Sequence, residues 1–530
     1  MKVKNWLIGW FVLTALALTL IAAYVYKVDP YFHFHAPDTD TYYYVLDNQR
    51  SQNNGISKNF EYDAILTGTS MTENFKTSDM NRIFGVNSIK VSYSGGSFKE
   101  INDNLAIALE NNSEVKYVVR GLDLLKLFEE KDTMRTDLGE YPTYLYDNNI
   151  FNDVKYIYNK DIIFGKAYAM SCARNEEGFV PGITAFDDYS SWQKSYTFGA
   201  NVVIPDGLTP LNPGEPVHLT EEEKELIHGN ITQNVTDLAD KYPNVDFYYF
   251  FTPYSAVWWK ELVDSGRIYA QIEAEEYIIE LILEHENIHF YSFNNCPEIT
   301  GDLNNYKDPR HYAAWVNSLI LSWMHDGRCL MTKDNYKDYI NSTLSLYLTF
   351  DYDSLNGQVD FRNDYYSAAI YNYEITKTAP EDLITSENCY RELYSAQIVE
   401  EQYQGALGIQ CNGCLKRDAN SDESVKDYII SNEFVGAKIK VDDIGLHKYL
   451  VFYCRKIEDN GQPSVYILDD NGETVFELVQ NYQDLDTHWY QYVVDLSDID
   501  GGITIYLNGG YVDNTGSSDS VYVFSNIVLY

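Results

Sequence analysis

The sequence predicts an α/β domain, a parallel sheet with flanking helices, preceded by a transmembrane helix and followed by an antiparallel β-sandwich. Three observations lead there. An uncharged apolar run opens the chain, five short apolar runs alternate with helical patterns between Tyr62 and about Met324, and Tyr/Val/Ile-rich runs separated by turn clusters fill the remainder. The 530 residues, 45% hydrophobic and 22% charged, are enough for several cores and argue against disorder. A net charge of −40 repels polyanions, which makes nucleic acid a poor partner. Tyrosine, at 48 residues against 24 Phe and 8 Trp, supplies the flat amphipathic surface used in sheet faces and sugar contacts.

Between Lys4 and Lys27 lie 22 residues without charge. At about 1.5 Å per residue they reach about 33 Å, enough to cross a bilayer core. The run exceeds a signal-peptide core, and Trp6, Trp10, Tyr24 and Tyr26 flank it as interfacial anchors. We therefore expect an uncleaved helix over 5–26 rather than a cleaved signal peptide. Lys2 and Lys4 precede it, so residues 1–4 are expected in the cytoplasm and everything after Lys27 outside.

The α/β domain is expected over 27–333. Its strands are Tyr62–Thr67, Ser88–Tyr93, Lys116–Gly121, Val245–Thr252 and Asn287–Phe293. Helices are expected over Ser97–Glu110, after Thr220, over Ile268–Glu286 and over Pro309–Met324. Thr220 and Glu223 form a capping box ahead of the second helix. A Tyr-, Asp- and Asn-rich insertion over about 124–216 interrupts the alternation and has the character of a lid or substrate wall. A helical bridge over 334–346, centred on Asp334–Asn341, leads to the sandwich over 347–530. Its alternating runs include Ser464–Leu468, Trp489–Val494, Ile503–Leu507 and Val521–Val528. Its aromatics make carbohydrate binding a candidate role.

Seven cysteines are few and odd in number, so no disulfide framework is expected. Cys411 and Cys414 form a C-x-x-C without a second pair at zinc spacing, read as ordinary thiols or a local disulfide. His285-Glu286-Asn287-Ile288-His289 matches H-E-x-x-H. A zinc site needs that motif within one helix, whereas Ile288–Phe293 alternates as a strand, so no metal is expected. His33, His35, His447 and His488 show no ligand spacing.

Two segments carry candidate chemistry. Gly68-Thr69-Ser70 follows the first strand, at the carboxyl edge where open α/β sheets bind ligands, so Ser70 can be a nucleophile or simply a helix cap. Asp308-Pro309-Arg310-His311 opens the last expected helix, with Asp308 as its cap and Pro309 at its first position. His311 can accept a serine proton while Asp308 holds its other nitrogen, or the pair can be a cap and a surface histidine.

These blocks resemble the SGNH (GDSL-like) hydrolase superfamily, in particular its membrane-anchored branch related to alginate O-acetylation proteins and the D-alanyl transfer protein of teichoic acid synthesis. Gly68-Thr69-Ser70 resembles the nucleophile block, with Thr69 in place of the usual Asp. Tyr93-Ser94-Gly95-Gly96-Ser97 resembles the second block, and Asp308-Pro309-Arg310-His311 the Asp-x-x-His block. The resemblance implies a flavodoxin-like sheet, Ser70 as nucleophile, His311 as base, Asp308 as its partner, and an oxyanion hole from the Ser70 and Gly95 amides. Where relatives often carry Gly-x-Asn-Asp, this chain has Arg120-Gly121-Leu122-Asp123, and an ionised Asp123 cannot donate to an oxyanion.

The expected function is extracytoplasmic O-acyl (acetyl) transfer to, or esterase action on, a cell-envelope or exported polysaccharide, with no cofactor. A membrane-bound O-acyltransferase is the implied acyl-donating partner. The alternative is a non-catalytic polysaccharide-binding or assembly protein on a degenerate SGNH core.

Overall fold

The computed structural model describes residues 2–137, 139–176, 178–358, 360–361, 381–400, 402, 406–412, 415–417, 426, 436–458, 462–479, 489–513 and 521–530. Five strands, β1 (Ala64–Thr67), β2 (Ser88–Lys90), β3 (Tyr117–Leu122), β4 (Asp246–Phe251) and β5 (Ile288–Ser292), form one sheet. All pairs are parallel, in the order β2-β1-β3-β4-β5. Most strand residues are buried, as in a parallel sheet covered on both faces, with His289 of β5 only partly so. From β1 the chain steps outward to β2 and returns on the other side as β3. The loops after β1 and β3 therefore diverge and leave a crevice at the carboxyl edge.

Numbering only helices of eight residues or more with regular α geometry, these are α1 (Lys2–Val28), α2 (Gln49–Asn59), α3 (Thr77–Phe84), α4 (Phe98–Asn111), α5 (Glu221–Ile231), α6 (Ala256–Asp264), α7 (Ile268–Ile282), α8 (Ala314–His325) and α9 (Tyr336–Thr349). Capping boxes start α4, at Ser97 and Glu100, and α5, at Thr220 and Glu223. α1 is long and apolar enough to cross a membrane or to serve as a signal sequence.

Two expectations need correction. The helix expected from Pro309 begins at Ala314, so Asp308 is not its cap. Asp308 instead accepts the N–H groups of Arg310 and His311 at 2.9 and 3.0 Å, and Lys307 N–H donates to the His311 carbonyl at 3.1 Å. A tight Asx-type turn with Pro309 inside it thus takes the backbone groups that a helix would have used. The expected bridge over 334–346 is the longer α9, which belongs to the α/β unit. Tyr347 stacks on Trp259 at 4.4 Å, and Tyr339 is hydrogen-bonded to Ser292 at the end of β5.

The chain divides into two compact units, one of Met1–Thr197, Thr209–Asp302 and Tyr306–Tyr352, the other of Phe198–Leu208, Leu303–Asn305 and Asp353–Tyr530. The boundary thus falls after Tyr352 rather than at 347, and two short segments expected in the α/β domain join the second unit. There Leu208 N–H bonds Asn356 and Leu303 N–H bonds Gln358, each at 2.7 Å. The second unit holds two largely antiparallel sheets. Ile439, Ile467 and Ile505 from one share a core with Phe452, Tyr492 and Phe524 from the other, the arrangement of a β-sandwich.

Candidate active site

β1 delivers the chain into a sharp turn. Gly68, at φ +147°, takes a conformation that residues with a Cβ rarely adopt. Ser70 then opens a short 3₁₀ turn, Ser70–Thr72, and Thr69 rather than Ser70 is its cap. This leaves the serine hydroxyl for other work. Ser70 Oγ lies 3.0 Å from His311 Nε2, although 241 positions separate the two in the chain.

The other ring nitrogen faces Asp308. His311 Nδ1 is 2.9 Å from Asp308 Oδ2 and 3.1 Å from Oδ1. An ionised carboxylate only accepts, so Nδ1 carries the proton and Nε2 is free to accept from Ser70. Burial works against ionisation of Asp308. The His311 ring and the backbone N–H groups of His311 and Arg310 outweigh it and hold the carboxyl well below the usual carboxylate range. Lys307 Nζ adds a 3.0 Å ion pair to Oδ2 and rests 4.1 Å from the Tyr196 ring centroid.

The insertion fastens these two segments together. Trp192 Nε1 donates to the Ser70 carbonyl at 3.1 Å, and its ring stands edge-on to His311 at 5.8 Å. Ser191 Oγ and Trp192 N–H both donate to Asn74 Oδ1 at 3.1 Å. Gln193 Oε1 accepts from Ala314 N–H at 2.7 Å, capping α8 from outside. Sequence reasoning did not single out these residues. Their one signal was that Trp192 is the only tryptophan within 124–216.

Gly95 has φ +56°, the left-handed region. The preceding residue, Ser94, is held at both its backbone groups. Ser94 N–H donates to Gln49 Oε1 at 2.7 Å, while the Ser94 carbonyl accepts Arg135 Nη1 at 2.7 Å and Arg50 Nη2 at 3.2 Å. In a planar trans peptide C=O and N–H point in opposite directions, so the guanidinium donors on Ser94 O also fix the aim of the Gly95 N–H. Asp123, at the end of β3, accepts from Thr69 Oγ1 at 2.7 Å, from the Tyr254 hydroxyl and from Leu125 N–H at 3.1 Å. It braces the serine loop and offers no donor. Neighbouring Arg120 is fully buried and donates to the carbonyls of Asn234 and Phe98.

A polar cleft of about 760 Å³ reaches this region, lined by Glu73 and Ser94 at one end and by Tyr141, Tyr144, Lys155 and Asn159 of the insertion. Burial pushes the Glu73 carboxyl up to about 6, partly offset by the 2.6 Å bond from Gln49. Burial also lowers Lys90 to about 7, its ammonium donating to the carbonyls of Glu73 and Phe75 at 2.6 and 2.9 Å.

The other motifs lie apart from this site. His285 follows α7 and bonds Asp240 at 2.7 Å, whereas His289 lies in β5 and bonds Asp246 at 3.0 Å, so the two imidazoles have separate partners. His33 pairs with Asp153, His35 bonds the carbonyls of Ala36 and Tyr26, and His447 bonds the Ile444 carbonyl. Cys411 is buried. Cys414 and His488 lie outside the described residues. The described cysteines are free thiols, with Cys296 and Cys329 sulfurs 3.6 Å apart.

No family model matches the chain. No curated protein matches it either. Among solved structures, a candidate platelet activating factor from Streptococcus pneumonia is 13% identical, covering 62% of this chain and 99% of its own, with a TM-score of 0.25. A cleaved adhesin domain of Lys-gingipain from Porphyromonas gingivalis is 8% identical, covering 29% of this chain and 96% of its own, at a TM-score of 0.19. A family 11 carbohydrate-binding module of a Clostridium thermocellum cellulosomal cellulase is 10% identical, covering 28% of this chain and 85% of its own, at 0.15.

Proposed function

We propose that the chain is a membrane-anchored serine O-acyltransferase or esterase of the SGNH type, acting outside the cytoplasm on a cell-envelope or exported polysaccharide. The observation that carries the reading is the relay Ser70 Oγ to His311 Nε2 at 3.0 Å and His311 Nδ1 to Asp308 at 2.9 Å. In that reading Ser70 Oγ attacks the acyl carbonyl carbon as its proton passes to Nε2. Asp308 stabilises the imidazolium, and the N–H groups of Ser70 and Gly95 receive the charge on the carbonyl oxygen. Collapse expels the donor's leaving group, which takes the proton from Nε2, and leaves an acyl-serine ester. A sugar hydroxyl or water, deprotonated by His311, then attacks that ester and regenerates Ser70.

The uncharged stretch of α1 between Lys4 and Lys27 supports anchoring over secretion and favours transfer, since an anchored enzyme can receive acyl groups from a membrane-bound O-acyltransferase. The polar, tyrosine-bearing cleft suits a glycan acceptor, and carbohydrate binding is the role we propose for the sandwich. The test is fluorophosphonate labelling and p-nitrophenyl acetate hydrolysis by the full chain. Both are expected to be lost in Ser70→Ala and His311→Ala. Absence of both in the unmodified protein would favour a non-catalytic polysaccharide-binding protein. Acetyl appearing on an added oligosaccharide separates transferase from esterase.

A further inference from the structure

Residues 150–174 of the insertion lie along the C-terminal part of α1. Tyr158 donates to the Leu18 carbonyl at 3.3 Å, and the Tyr24 hydroxyl bonds the Ala167 carbonyl at 2.9 Å and Ser171 Oγ at 2.7 Å. Val25, Tyr31, Leu145, Tyr156 and Ile162 form one buried cluster, with Ile21 and Ile163 packed on it. The segment is thus fixed to α1 on one side. Elsewhere it leaves large apolar side chains uncovered, with Phe151 83%, Ile150 74% and Phe164 67% exposed and Val154 and Tyr168 more than half exposed. So dense a group marks an interaction surface.

Depth and charge identify what covers it. With α1 across a bilayer, Tyr24 and Tyr26 sit at the interfacial level. Leu18 is six residues deeper, which at about 1.5 Å per residue is about 9 Å. That matches the roughly 5–10 Å to which interfacial helices sink their apolar faces. In a chain of net charge −40 this stretch carries four basic residues, Lys155, Lys160, Lys166 and Arg174, against Asp153 and Asp161. Asp153 is paired with His33, and Lys166 with Asp47 at 2.6 Å. Lysine stems can lie along apolar surface while the ammonium reaches lipid phosphates. An apolar cleft of about 460 Å³, lined by Pro30, Tyr43, Val45, Met170, Phe179 and Val180, opens next to the same segment.

We infer that residues 150–174 form a second membrane contact, a wedge seated in the leaflet from which α1 emerges, with Phe151, Val154, Phe164 and Tyr168 among acyl chains and Lys160 at anionic headgroups. This rests on reading α1 as an uncleaved anchor. Lys155 and Asn159 belong to both the wedge and the polar cleft, so the wedge sets the mouth of that cleft at the bilayer surface.

The experiment places an environment-sensitive fluorophore on single new cysteines in the full chain, in a Cys172→Ser background. Labelling of that background alone is subtracted. Phe151→Cys and Phe164→Cys are the test positions, Leu16→Cys the anchor reference and Glu286→Cys the exposed reference. The protein is reconstituted in phosphatidylcholine/phosphatidylglycerol vesicles carrying nitroxide lipid. Quenching at 151 and 164 of at least half that at 16, with none at 286, is the expected result. Quenching at 16 alone overturns the wedge while leaving the anchor standing. In that case, access to aqueous iodide at 151 and 164 means the face meets water, and shielding from both quenchers means a protein covers it. Absence of quenching at 16 removes the anchor reading and the wedge with it.

Discussion

Thr69 and Asp123 show how a charge at the end of one strand can brace the loop that follows another. Asp123, from the end of β3, accepts the hydroxyl of Thr69, the residue next to Ser70. Ser70, His311 and Asp308 were legible as candidates because their residue types and spacing carry chemistry in themselves. Gln49, Arg135 and Trp192 were not, because each acts through backbone groups that only the fold brings near. Three outcomes follow at this scale. Asp308→Asn is expected to lower p-nitrophenyl acetate turnover by about 10³–10⁴-fold, because an amide disfavours the tautomer that Ser70 needs. Arg135→Ala removes the shorter of the two guanidinium bonds to the Ser94 carbonyl, leaving only that of Arg50, and is expected to lower kcat about tenfold with KM little changed, Arg135→Lys restoring part of it, as for a donor misaimed rather than removed. In Gly95→Ala the added Cβ would press on the Arg135 guanidinium from a left-handed backbone, so kcat should fall further than in Arg135→Ala. A KM rise alone in these two variants would place Gly95 in substrate binding instead.

Elements whose signal is local were readable, and those decided by competition were not. The five strands fall within one or two residues of expectation at most ends because buried parallel strands need continuous apolar runs. β2 stops at Lys90, three residues short of Tyr93. The start of α8 was misplaced because Asp-x-x-His preceded by a turn residue reads equally well as a helix opening and as the Asx-type turn that forms. α7 carries a different kind of hidden information. Glu275 is fully buried, held by Gln271 at 2.9 Å and Asn294 at 3.1 Å, and burial pushes its carboxyl up to about 7. Its folded value lies above the unfolded 4.5, so it contributes stability that is complete below pH 4.5 and is lost as pH rises through 7. The full loss is about 3 kcal/mol. Glu275→Gln is therefore expected to raise the melting temperature at pH 8.5 and to leave it unchanged or lower at pH 5. Equal shifts at both pH values would show that ionisation of this group does not govern the stability of α7.

At the scale of the whole chain, two compact units, one of them with the sandwich core, are expected to unfold as two transitions rather than one. Ile505 is fully buried in the sandwich core. Ile505→Ala should destabilise that unit by about 2–5 kcal/mol, bringing its calorimetric transition down while fluorophosphonate labelling of Ser70 persists to the same temperature as before. Loss of labelling at the lowered temperature would mean that the units melt together. The overall order of segments was visible because helix, α/β and β-rich stretches differ in period and composition. The boundary at Tyr352 was not, since it depends on α9 stacking on Trp259 rather than on any change in composition. Residues 191–193 have a last implication. Asn74, Ser70 and Ala314 are all gripped by three consecutive side chains of an irregular excursion. The excursion is thus a keystone: a shortened homologue built without it would keep its sheet but lose the alignment of oxygen and ring, and grafting it whole is the way to transplant this site to another scaffold.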